Sequence, residues 1–337
     1  MNGDTAERAA AIDRFIAGGA WRSAQRRPLG GDASFRRYVR LIGGPRPALL
    51  MDAPPPMERV KPFVVVAEHL KSMGFSAPAI YQQNEADGLL VIEDFGDDTY
   101  TRLLAHGANE QNLYANAVDV LIALHRRDDA AAVAVPAYDA QRLLDEALLL
   151  TDWYMPAIFG AAPSSEQRES FIALWRGLFR ELDGVPGSLV LRDYHVDNLM
   201  GLSGCEGAAA CGLLDFQDGV IGSVAYDLVS LIEDARRDVP PSLAEAMVAR
   251  YLAAFPKLDR SSFAAASAIL AAQRNCKIVG IFTRLKKRDG KDAYLRHIPR
   301  VWRLIERDIR HPALAPLASW LDRYIPPSAR RIPVFAA

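Results

Sequence analysis

Two segments constrain this chain more than any other feature: LVLRDYHVDNLM over residues 189–200 and LLDFQDG over residues 213–219. Each runs from an apolar, strand-like stretch into a polar loop. Each loop carries an early carboxylate, Asp193 in the first and Asp215 in the second. A rigid strand aims the loop that follows it, so reactive groups gather at such points. Asp and Asn in loops often only bond their own backbone. That habit does not account for two carboxylates leaving apolar strands, the first followed five positions later by Asn198.

The rest of the chain frames this pair. Residues 7–18 form a short amphipathic helix pattern that Gly18-Gly19 ends. Apolar-polar alternation around Phe35, Tyr38, Val39 and Leu41 predicts strand, as does RPALLMDAPPP (46–56), which three prolines stop. Residues 60–74 have helical spacing and a glycine stop, and 78–96 predict two strands around a turn at Ala86-Asp87-Gly88. From about Thr99 onward helical patterns prevail, over 109–127, 139–154, 164–182, 241–255, 261–287 and 299–310. The expected fold class is therefore α+β. Residues 1–96 make a small mixed or antiparallel sheet with one helix, and residues 97–337 make a larger, mostly helical part. No repeat or low-complexity tract interrupts it.

Composition removes several classes of function. The 337 residues carry a formal net charge of −1, so no basic excess points to nucleic acid. Acidic residues Asp4, Glu7 and Asp13 break the N-terminal apolar run, unlike a signal peptide. The most apolar helix pattern, FAAASAILAA (263–272), is about half the ~20 residues a bilayer requires. A cytoplasmic protein without membrane partner is expected. Cys205, Cys211 and Cys276 fit neither a disulfide framework nor a zinc motif, and are expected as free thiols.

Asp193, Asn198 and Asp215 match one chemistry in order and spacing. Phosphoryl transfer from ATP needs a carboxylate to orient the attacking hydroxyl and take its proton. It also needs a carboxylate and an amide oxygen to hold the hard Mg2+ that neutralises the phosphates. Asp193 is the candidate base, and Asn198 and Asp215 are the candidate metal ligands. No G-x-x-x-x-G-K-[ST] is present, which excludes a P-loop.

LRDYHVDN, LLDFQD and AYDLVSL (225–231) resemble the phosphotransferase superfamily of aminoglycoside, choline and homoserine kinases. More narrowly, RDYHVDNLM, LLDFQDGVIGSVAYDLVSLIEDAR, LMDAPPP and QRNCKIVGIFTRLKKRDGK resemble the bacterial anomeric kinases of N-acetylmuramate and N-acetylglucosamine used in cell-wall recycling. The likeness runs from about residue 27 to residue 310. It implies a two-lobed, protein-kinase-like fold, with ATP in the cleft and transfer to the C1 hydroxyl of a small amino sugar. It further implies that LGGDASFRRY, with Gly30, Gly31, Ser34, Arg36 and Arg37, covers the phosphates. IEDFG, with Glu93 and Phe95, matches the hinge whose backbone takes adenine. Asp227 matches an aspartate that braces the catalytic loop, and His195 hydrogen-bonds that loop or shuttles protons. Choline, homoserine or an aminoglycoside remains the alternative acceptor. The oligomeric state is left open, a monomer included.

One departure matters. Kinases of this type place a lysine on the third strand to contact phosphate, and here Met51 stands there. Arg36 or Arg37 is expected to substitute, because a guanidinium grips phosphate oxygens bidentately; both are otherwise ordinary hairpin arginines. For the acceptor, Arg274, Lys277 and Arg284 fall on one face of the 261–287 helix and form either an anion site or a solvated basic face. Glu146 and Tyr154, in DEALLLTDWYMP (145–156), are acceptor candidates that an amphipathic core helix would equally explain.

Overall fold

The structure, a computed structural model, describes residues 2–30 and 35–335. Gly31 and Ser34 of the expected phosphate loop lie outside the described residues. The chain divides into two compact units, one of Met1–Ala123, Ala132–Val135 and Val196–Gly219, the other of Leu124–Ala131, Pro136–His195 and Val220–Ala337.

The first unit opens with helix α1 (Asn2–Ala17). A five-stranded sheet follows: β1 (Gln25–Pro28), β2 (Arg37–Ile42), β3 (Ala48–Asp52), β4 (Ile80–Asn84) and β5 (Leu89–Glu93). Strand order is β1-β2-β3-β5-β4 and every pairing is antiparallel, which settles the mixed-or-antiparallel alternative. The two central strands, ALLMD and LLVIE, read as nearly unbroken apolar runs because both of their faces are covered. Phe15, Ile16 and Trp21 pack with Leu41, Leu50 and Val91 on one side. Helix α2 (Lys61–Ser72) buries Phe63, Val66, Ala67 and Leu70, the i, i+3, i+4, i+7 stripe that its sequence predicts. Helices α3 (Tyr100–Ala105) and α4 (Glu110–His125, leaving the unit after Ala123) come next. Later in the chain, Leu199–Gly201 pairs antiparallel with Cys211–Leu213 to complete the unit.

The second unit is helical: α5 (Ala140–Ala147), α6 (Met155–Phe159), α7 (Ser165–Leu178), α8 (Ala225–Ile232), α9 (Pro241–Ala254), α10 (Arg260–Asp289), α11 (Ile298–Asp308) and α12 (Ala315–Tyr324). A short ladder joins Gly187–Val190 to Val220–Ser223. Helix α10, 30 residues long, spans ~45 Å at ~1.5 Å per residue and is the axis on which α5, α8 and α11 pack. Asp259 caps its start by accepting from Ser262 N at 2.7 Å, and Gly290, at φ 69°, ends it.

Four helices escaped the sequence patterns, among them the five-residue α6, which lies beyond the end of the expected 139–154 helix. Helix α8 buries its polar Asp227 and Ser230 along with its apolar residues, so no wet face marks an amphipathic period. Helices α3 and α12 are too short to establish one. The expected helix over 139–154 is also interrupted, by a π turn at Leu150–Tyr154. It begins one residue after Leu149, against which α10 passes at Gly280. A β-carbon at Gly280 would lie 2.3 Å from Leu149 C and 2.4 Å from its carbonyl oxygen. Backbone cannot rotate away as a side chain can. Gly280→Ala is therefore expected to lower stability by about 1–2 kcal/mol, because a clash with backbone puts the overpacking cost at about 2–3 kcal/mol, the upper part of its range, against about 1 kcal/mol gained in helix propensity. The check is a urea melt, in which an unchanged or raised midpoint would remove the close crossing as a constraint.

All three cysteines are unbridged, Cys205 exposed and Cys211 and Cys276 buried. No helix among the described residues is long and apolar enough to cross a membrane.

Candidate active site

The loop after Gly187–Val190 carries Asp193. Asp193 N donates to Leu191 O at 2.9 Å, a turn that forces Arg192 between them to φ 70°. A non-glycine residue in that region is strained and must be held. Buried Asp227, from the first turn of α8, does this: it accepts from Leu191 N at 2.6 Å and from Arg192 N at 2.9 Å. Burial pushes its carboxyl up to about 7, against the pull of those two donors. Ser230, a turn further along α8, donates to Arg192 O at 3.3 Å.

The Arg192 side chain lies over the Tyr138 ring and pairs with Glu146. Glu146 also takes Lys277 of α10 at 3.1 Å and the Tyr138 hydroxyl. Burial raises the Asp193 carboxyl, but the charges of Lys277, Arg192 and Arg274 together hold it below the usual carboxylate range. Asp193 is thus a half-buried, ionised acceptor, and a group that takes a proton from a hydroxyl must be ionised. His195 is buried, and its Nε2 lies 3.3 Å from Arg236 Nη1. A guanidinium only donates, so this imidazole nitrogen accepts. Burial and Arg236 lower its pKa and keep it neutral.

The acceptor candidates separate in space. Arg274 and Lys277 both act on Asp193, with Arg274 donating to Glu233 O at 3.1 Å. Arg284 instead feels Arg288 and Asp289. Lys277 and Arg284 share a helix face but are two turns apart, ~10 Å along the axis at ~1.5 Å per residue. Tyr154 is corrected as an acceptor candidate. It is wholly buried, its hydroxyl 2.8 Å from both Ala329 O and Arg331 O, and it accepts from Arg331 N at 2.9 Å. The C-terminal segment takes its hydroxyl, and Trp302 of α11 lies against its ring.

The first unit holds the other loop. Asn198 Nδ2 donates to Asp215 Oδ2 at 3.4 Å, and Leu214 N donates to Asn198 O at 3.0 Å, so the hairpin brings these two residues together. Asp215 has φ 58°, and Gln217 Nε2 donates to its Oδ1 at 2.8 Å. Phe216 stacks on Phe63 of α2, with ring centroids 5.0 Å apart, and this anchors the loop. An amide oxygen and a carboxylate suit a hard cation. Among the described residues no group of three His, Cys, Asp or Glu could hold a metal. A two-ligand site fits magnesium, which keeps waters and shares phosphate oxygens rather than needing an all-protein cage.

The structure separates the two arginines. Arg36, with 10 % of its side chain exposed, places Nη1 3.6 Å from Asp215 Oδ1 and Nε 3.6 Å from Glu58 Oε2. Arg37 is 65 % exposed and faces Asp52 at 3.6 Å, a carboxylate that Arg8 also grips. Met51 is buried opposite Tyr38 in the β2–β3 register. Gly30 is exposed with open space where a β-carbon would sit. In the 93–97 stretch, Glu93 accepts from Ala79 N at 3.0 Å, and Phe95 lies against Gly212 closely enough that a β-carbon there would come within 2.9 Å of its ring. Arg40 of β2 ties this stretch down through Asp94 and Asp97.

Sequence reasoning missed Glu58, Gln217 and Arg40. The usable signal for Glu58 was chemical: an arginine replacing a strand lysine needs a carboxylate partner, and Glu58 lies just ahead of α2.

Residues 25–262 match the model of the phosphotransferase enzyme family. The chain belongs to that family. An N-acetylmuramate/N-acetylglucosamine kinase of Caulobacter vibrioides is 36% identical, covering 97% of this chain and 99% of its own. One from Pseudomonas aeruginosa is 38% identical, covering 87% of each. Among solved structures, a choline/ethanolamine kinase family protein from Mesorhizobium loti superposes with a TM-score of 0.63 at 13% identity, covering 94% of this chain and 99% of that one. An aminoglycoside phosphotransferase with ADP bound gives 0.59 at 15% identity, covering 89% and 97%. These likenesses show the fold, which is the two-lobed α+β fold of the phosphotransferase family.

Proposed function

We propose that this phosphotransferase moves the γ-phosphoryl group of ATP to the C1 hydroxyl of N-acetylmuramate or N-acetylglucosamine. The observation that carries the chemistry is Asp193, half-buried, held ionised by neighbouring cations and carried on a braced, strained loop. The sugar is supported by the relatives named for it, at 36% and 38% identity.

Asp193 orients the C1 hydroxyl and takes its proton as the oxygen attacks γ-phosphorus; the bond to the β-phosphate oxygen breaks and ADP leaves. Asn198 and Asp215 hold magnesium, which when bound neutralises charge on the phosphate oxygens. Arg36 supplies the cation that Met51 cannot. Lys277 and Arg192 keep Asp193 ionised, while His195 and Asp227 fix its loop. The Glu93–Phe95 backbone takes adenine, and Gly30 opens the phosphate loop. In this reading residues 1–96 carry the phosphate loop and hinge, and residues 97–337 the catalytic, metal and acceptor groups. Dependence on ATP places the reaction in the cytoplasm.

The test is an acceptor panel with ATP and magnesium, followed by phosphorus NMR of the product. An acid-labile phosphate whose phosphorus couples to H1 is expected. A phosphate at carbon six, or transfer only to choline, homoserine or an aminoglycoside, would overturn the sugar assignment.

A further inference from the structure

We infer that Arg36 is the resident counter-ion of Asp215, which the metal must displace, and that Glu58 retains the displaced arginine beside the nucleotide. The inference rests on the reading of Asp215 as a metal ligand.

The geometry is that of a cation between two anchors. Arg36 lies 3.6 Å from a carboxylate oxygen on each side, Glu58 Oε2 through Nε and Asp215 Oδ1 through Nη1. These are long ion pairs, not the 2.7–2.9 Å bonds of a tightly gripped guanidinium. Glu58 is itself fixed, its Oε1 accepting from Phe35 N at 3.3 Å. Asp215 belongs to the more open loop, with 39% of its side chain exposed against 20% for Glu58. The Tyr38 hydroxyl hydrogen-bonds the same guanidinium from β2, and the Asp218 charge also acts on it. The Asp215 oxygen that faces Arg36 is the one that takes Gln217, while the other faces Asn198.

A divalent cation on Asp215 would share one carboxylate with Arg36, whose Nη1 lies 3.6 Å from Oδ1, and two cations on one partly buried carboxylate repel each other. Phosphate oxygens remove the conflict by giving the guanidinium a new partner. Nucleotide and metal should therefore bind together far better than metal alone. A strand lysine in a conventional kinase is anchored by its own strand; here the cation comes from the segment entering β2, so it needs Glu58 to keep it from following Asp215.

The experiment uses Mn2+ as the probe and follows its free signal by electron paramagnetic resonance, on the full chain, with and without ADP. Without nucleotide, Arg36→Gln is expected to bind Mn2+ at least about tenfold more tightly than wild type, while Arg36→Lys, which keeps the charge, stays near wild type. With ADP present, Arg36→Gln and Glu58→Gln should each weaken retention of Mn2+ by about tenfold. Unchanged or weaker Mn2+ binding by Arg36→Gln alone would overturn the inference, as would equal tightening in Arg36→Lys. Asp215→Asn tests the underlying reading separately: if it retains Mn2+ with ADP as well as wild type does, Asp215 is not a ligand and the metal assignment falls with it.

Discussion

Asp193→Asn is expected to cut kcat by about 10²–10⁴, the contribution of a positioned acid-base group, with both Michaelis constants within a few-fold of wild type. The amide keeps the shape and a hydrogen-bond acceptor but cannot take the hydroxyl proton. Its effect should fall on the transition state and not on ground-state binding. A companion measurement uses pH. Burial raises the Asp193 carboxyl, yet Lys277, Arg192 and Arg274 together hold it low. The acid limb of the wild-type rate should therefore lie below about pH 4, the ordinary aspartate value. Lys277→Met removes the leading positive neighbour and should move that limb upward. A limb that stays in place would show that Lys277 does not set the ionisation of Asp193. A kcat for Asp193→Asn within tenfold of wild type would remove Asp193 as the base.

The second large effect is expected at Asp227. Its two oxygens accept from Leu191 N and Arg192 N at 2.6 and 2.9 Å, inside the protein. Asp227→Ala leaves both donors without an acceptor, at about 1–3 kcal/mol each, and releases a residue held at φ 70°. A stability loss of roughly 2–6 kcal/mol is expected. The cost of burying the carboxylate offsets part of this, since burial already pushes that group up to about 7. Because the strained turn also aims Asp193, kcat should fall in the protein that still folds. Urea denaturation read beside kcat separates the two. A variant with wild-type stability and wild-type kcat would show that the brace is dispensable.

Much of the site was legible because its chemistry is local. Asp193 and Asn198 share one loop, and Asp215 follows an apolar strand within the next segment, so their residue types and spacing are read directly from the chain. The main helices and strands were legible too, wherever one face is buried and the other wet. The pattern failed where burial is uniform, as in α8, or where an element is short, as in α3 and α12. It also failed where a distant contact intrudes, as at the π turn beside Gly280.

The acceptor candidates show the same limit. A helical wheel put Lys277 and Arg284 on one face, but it carries no information on distance along the axis or on what covers each turn. Tyr154 was offered to a ligand by its type and was taken by Ala329 and Arg331, nearly two hundred positions later in the chain.

The amino-acid order alone thus determined the class of fold and pointed to the groups proposed for the chemistry, because those depend on short-range pattern and composition. Only tertiary structure decided that Arg36 and not Arg37 faces Asp215, that Glu58 anchors it, and that Lys277 and Glu146 support the Asp193 loop. Each of those pairings joins residues brought together by packing, and neither charge nor spacing along a chain records which partners packing selects.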